Sequence, residues 1–151
     1  MIKRSIASAF IALTLASPAL AIEIRNTEDC QAAQRAQDGI DDLGFDALLQ
    51  EAMTGSYGNY AEWKSSKLTP TIKTFEQRFP LTPADAMRLP NYASFVTEFS
   101  FRTEQMAYHI HQMQRHKEGS KEFEQYRSSA RVHLNAMNET MARFRKDCII
   151  E

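Results

Sequence analysis

Residues 119–148 read GSKEFEQYRSSARVHLNAMNETMARFRKDC, and this stretch decides the fold. Ser120 is an N-cap residue placed directly after a helix-breaking glycine, Gly119. Beyond it, Phe123, Ala130, Met137 and Phe144 recur at intervals of seven, with Leu134, Met141 and Cys148 on a neighbouring track. Two adjacent apolar tracks form the stripe by which a long helix faces a bundle core. A second long helix opens near Asn91, behind Pro90. Its stripe runs through Tyr92, Phe95, Val96, Phe99, Met106, Ile110 and Met113, and it closes on Arg115, His116 and Lys117, cations that suit a helix C-terminus. So short a junction makes the two helices an antiparallel hairpin.

The amino-terminal half carries weaker signals. Asn26 or Thr27 caps a helix bearing Cys30, Ala33, Ile40, Leu43, Leu48 and Met53, which ends at Gly55. Gly39 and Gly44 weaken it, each by about 1 kcal/mol relative to alanine. A further helix from Tyr60 to Phe79 carries Trp63, Leu68, Ile72 and Phe75, with Pro70 kinking or restarting it. Thr82-Pro83-Ala84-Asp85 reads as a capped turn into the Asn91 helix. The Pro-rich segment from Phe79 to Asn91 is the least regular surface and a candidate recognition loop. No window alternates with period two, so no sheet is expected. The expected fold is all-α, a four-helix up-down-up-down bundle.

The two cysteines test that count. In a bundle with an even number of antiparallel helices, Cys30 at the start of the first and Cys148 at the end of the last share one pole. In a three-helix bundle they would stand tens of ångströms apart, given about 1.5 Å of rise per residue. One N-to-C disulfide therefore favours four helices. The redox compartment agrees. Met1-Ile2-Lys3-Arg4 is a short positive region, the stretch from Ile6 to Leu15 is apolar, and Ala19-Leu20-Ala21 places small residues at a cleavage site. An apolar core of about ten residues is half of what an anchored helix needs. Residues 1–21 read as a cleaved secretory signal peptide and residues 22–151 as one helical domain. The expected location is periplasmic or secreted, where a disulfide is the default state of such a pair.

Charge narrows the partners. The signal peptide removes Lys3 and Arg4 from totals of 18 basic and 19 acidic residues, which leaves a mild excess of about three acids. Neither nucleic acid nor an anionic membrane surface is drawn to such a chain. No catalytic motif, phosphate-binding glycine loop, calcium loop or paired Glu-x-x-His occurs. One pattern carries chemistry. Met106 and His109 share a face of one helix, His133 and Met137 a face of the next, and the hairpin register sets Met106 opposite His133. Imidazole and thioether suit copper, and a His/Met pair suits haem iron. Met is also an ordinary core filler, so the same residues read as packing.

Tyr57, Tyr60 and Trp63 lie off the main stripes, where aromatic side chains mark partner surfaces or else cap the end of the bundle and cover its Pro-rich middle. The expected function is therefore a non-catalytic, exported helical protein that binds a protein partner in the cell envelope and carries no cofactor. The alternative is a small metal (copper) or haem binder using Met106, His109, His133 and Met137.

Overall fold

A computed structural model describes residues 23–150. The expected signal peptide lies outside the described residues. In chain order the elements are β1 (Glu23–Ile24), α1 (Glu28–Asp42), α2 (Phe45–Thr54), α3 (Tyr60–Trp63), a π-helical turn (Lys64–Leu68), α4 (Thr69–Arg78), α5 (Pro83–Arg88), α6 (Pro90–Gln114), α7 (Lys121–Cys148) and β2 (Ile149–Ile150). The chain is thus mostly helical. No helix among the described residues is long and apolar enough to cross a membrane.

The carboxyl-terminal hairpin follows the sequence. The Ser120 side chain accepts from the Phe123 amide and starts α7, and Phe123, Ala130, Met137, Phe144 and Cys148 are buried along it. Every apolar residue expected on the α6 stripe is buried as well. Phe95 sits at the crossing, edge-on to Phe144 at 5.4 Å and stacked with Phe99 at 5.4 Å. Against its other sides α6 packs α1, α2, α4 and α5, so it is the central helix.

The amino-terminal half departs from expectation in three places. The expected first helix is two. Gly44, in the left-handed region at φ 72°, breaks it between α1 and α2, a conformation that a side chain would strain. Gly39 has a different reason for being there. A Cβ on it would lie 2.2 Å from the Phe79 ring, so the glycine lets the ring pack against α1. Around Pro70 there is no break. The helix runs on through the π turn, whose wide bond joins the Thr69 amide to the Lys64 carbonyl. Proline has no N–H, and its ring collides with the carbonyl four residues back; widening the turn just before it absorbs both defects.

The third departure is at the termini. β1 and β2 pair antiparallel, Glu23 opposite Ile150 and Ile24 opposite Ile149, where no strand pairing was expected. The Arg25 amide adds a bond of 2.8 Å to the Cys148 carbonyl. Beside this ribbon, Cys30 and Cys148 form a disulfide with Cα atoms 5.2 Å apart. Helix α6 has no capping side chain of its own. The Asp29 carboxylate, from the first turn of α1, accepts instead from the amides of Asn91 (3.2 Å) and Tyr92 (3.0 Å) and from the Asn91 side chain (2.9 Å). Orphan donors that a local cap would satisfy are satisfied across the fold.

This pole makes a measurable contribution. The disulfide spans 118 positions, and a loop of that size contributes about 4–5 kcal/mol in the chain-entropy model. Asp29→Ala removes a cap worth about 1–2 kcal/mol. In urea denaturation the Cys30→Ser/Cys148→Ser double variant is expected to show the larger loss and Asp29→Ala the smaller. Equal midpoints for both variants and the parent would contradict that ranking.

Candidate functional site

The hairpin register brings His109 and His133 together. Their rings stack at 5.3 Å between centroids with planes 14° apart, both half-buried in the α6/α7 seam. Met106 and Met137 are buried in the core. An Arg102 guanidinium nitrogen lies 3.2 Å from His133 Nδ1, and Arg102 Nε is bound to Glu98 at 2.6 Å. Arginine only donates, so His133 Nδ1 accepts and the proton of the neutral ring sits on Nε2. That assignment uses the one lone pair a metal would need. The His109 Nδ1 is buried without a hydrogen-bond partner. Burial holds His109 below its ordinary range; burial, then His109, then Arg102 do the same to His133. Among the described residues no three His, Cys, Asp or Glu side chains gather into a metal-sized group.

Of the three aromatic residues, one is placed in the core and two are partly exposed. Trp63 is 3% exposed, a core residue and not a surface one. Its indole N–H donates to Glu51 Oε2 at 2.6 Å, and Lys67 holds the same carboxylate at 2.8 and 3.0 Å. Tyr57 and Tyr60 are half-buried and turn towards α6. Tyr60 stacks on His111 at 4.0 Å with planes 6° apart, and its buried hydroxyl has no partner. Burial, with the Glu104 charge second, pushes that phenol up to about 12.

Around His111 the hydrogen bonds form a relay whose direction is fixed. Gln114 Nε2 donates to the carbonyls of Ala52 (2.9 Å) and Met53 (3.0 Å), at the end of α2. Two backbone acceptors determine which end of the amide is nitrogen, so Oε1 faces Tyr57. The Tyr57 hydroxyl donates its one proton to that oxygen at 2.8 Å. Towards His111 Nδ1, 2.9 Å away, it can then only accept. His111 is therefore protonated on Nδ1 and carries its lone pair on Nε2, the reverse of His133. A ring whose second nitrogen is held by a hydrogen bond has the form of a metal-ligating or proton-accepting histidine. Sequence reading passes over His111. The available signal is Gln114, one turn away on the same helix face.

The exposed apolar surface lies elsewhere. Phe101 is 51% exposed and Tyr108 40%, two turns apart on α6, and Val132 is exposed beside His133 on α7. Phe101 rims a groove of about 450 Å³ between α4 and α6, walled by Ile72, Phe79, Leu81 and Val96. Glu76 and Glu104 stand at its edges, the latter bound to Lys64 at 2.8 Å. Ser100, in the same lining, has a buried hydroxyl without a partner. A second groove of about 780 Å³, between α1 and α5, is crossed by ion pairs of Arg78 with Asp42 and of Arg88 with Glu28 and Asp85.

Compared with known proteins, the chain matches no family model, no curated protein and no solved structure. Its own geometry defines the site.

The relay makes a spectroscopic prediction. At pH 8, ring nitrogen shifts should show His111 as the Nδ1–H tautomer and His133 as Nε2–H. Tyr57→Phe removes the acceptor at Nδ1 and should return His111 to the commoner Nε2–H form. An Nε2–H tautomer at His111 in the parent protein would break the relay.

Proposed function

We propose that the chain is an exported, non-catalytic protein that acts by binding a protein partner in the cell envelope. In this reading the signal peptide is removed, the product is periplasmic or secreted, and the helices form an up-down-up-down bundle in which α1 with α2 counts as one arm. The groove between α4 and α6 carries the proposal. It combines an apolar floor with a half-exposed phenylalanine on its rim. Apolar grooves with an aromatic rim are where partner side chains concentrate binding energy. Glu104 is already held by Lys64, so Glu76 at the other edge selects an occupant whose apolar side chain stands beside a lysine or arginine.

A photoreactive phenylalanine analogue at Phe101 is expected to cross-link one defined envelope protein, while the same analogue at Lys146 gives no such adduct. Glu76→Lys should cut the yield several-fold without moving the melting temperature. Equal adducts at both positions, or a yield indifferent to Glu76→Lys, would remove the support for this groove.

The copper or haem reading keeps one observation in its favour: His109 and His133 do meet. It requires Arg102 to release His133 Nδ1, and an absorbance spectrum and metal analysis of the purified protein separate it from the first reading.

A further inference from the structure

We propose that His133, His109 and Arg102 form a proton-operated latch on the α6/α7 seam, closed while the two imidazoles are neutral and opened when His133 takes up a proton. The latch stands on the direction of one hydrogen bond and does not depend on what occupies the groove. In the closed state Arg102 donates to His133 Nδ1 at 3.2 Å, and the His133 ring stacks on His109 at 5.3 Å. A proton on Nδ1 sets donor against donor and cation against cation at the same contact.

Among the described residues, the hydrogen-bond and ring partners of the pair come from α6 and α7. On α6, Glu98 binds Arg102 at 2.6 Å and keeps it in place, and Tyr108 lies edge-on to His109. On α7, Tyr126 packs on His109 at 6.1 Å and carries His116 stacked on its own ring. Glu98 is the one carboxylate in these contacts, and it is already engaged. With no carboxylate free among these contacts, the Arg102–His133 contact must open, and the His133 ring and Arg102 separate.

That separation disturbs an exposed residue. Phe101 meets the His133 ring edge-on at 6.1 Å, and the Arg102 guanidinium lies 5.3 Å from the Phe101 ring centre. These three side chains form one contiguous unit, and half of the Phe101 surface is exposed to solvent. His111 supplies the contrast. Its Nδ1 already carries a proton and donates to Tyr57, so charging Nε2 leaves that hydrogen bond intact. Of the two hydrogen-bonded histidines, one is undone by a proton and the other is not.

Linkage sets the sign. The folded state holds His133 below its usual 6.5, by burial first and then by His109 and Arg102. The stability tied to its neutral form is complete above the unfolded value and is lost as pH falls through the lower folded one.

The test is a proton and nitrogen NMR titration of the intact, disulfide-bonded chain from pH 8 to pH 5. His133 is expected to titrate below 6.5, with the Arg102 Nε–H and Phe101 ring signals moving at the same midpoint. His133→Gln offers an amide oxygen to Arg102 and cannot titrate, so both signals should hold still. Arg102→Met should raise the His133 midpoint towards 6.5 and uncouple Phe101 from it. Arg102 and Phe101 signals that ignore the His133 titration, or that move unchanged in His133→Gln, overturn the latch.

Discussion

Cys30 and Cys148 fasten the first turn of α1 to the last turn of α7, and much of the fold is arranged around that bond. The residue before Cys30 is Asp29, which supplies the cap that α6 lacks. The residue before Cys148 is Asp147, whose carboxylate also reaches the Asn91 side chain at 3.4 Å. A covalent clasp, a helix cap and a two-stranded ribbon thus occupy one pole, each setting the geometry the others need. Local caps are worth about 1 kcal/mol and fray readily. A cap delivered from another helix holds only while that helix is held, and here the disulfide holds it.

Along the rest of α6, hydrogen-bond polarity organises the chemistry. His111 on α6 and His133 on α7 receive their protonation states from groups that have no choice of role. Arginine can only donate, a backbone carbonyl can only accept, and each fixes the role of the group it meets. Two rings a short way apart on one helix pair end up with opposite tautomers. Charge differs too. Glu98 and Glu104 each bind a cation, at 2.6 and 2.8 Å, so neither is free to stabilise a charged imidazole.

The long helices are legible in the sequence because their apolar residues repeat at a period only a helix satisfies. The clasp is legible because the chain has two cysteines, Cys30 and Cys148, and they pair with each other. Gly39 shows where reading stops: as a helix residue it looks like a defect, and only the Phe79 ring 2.2 Å from its missing Cβ explains it. Pro70 is visible, but a kink and a wide turn leave the same trace in a sequence. The meeting of His109 and His133 follows from hairpin register. Arg102 does not, because its reach depends on rotamers that no spacing rule fixes. Trp63 is misplaced by pattern alone for a related reason. It lies off the main stripes yet is buried against Glu51, since a short helix packs along directions the long helices do not define.

The joined termini also dictate an order of events. A polypeptide leaves any tunnel or pore amino end first, so residues 23–30 emerge with nothing to pair with. Strand β1 waits for β2, Cys30 waits for Cys148, and their partners arrive only with the final residues of the domain. The α6/α7 hairpin likewise needs residues 90–148. The contacts of this pole therefore form only after residues 148–150 have emerged, later than those within the helices that precede them.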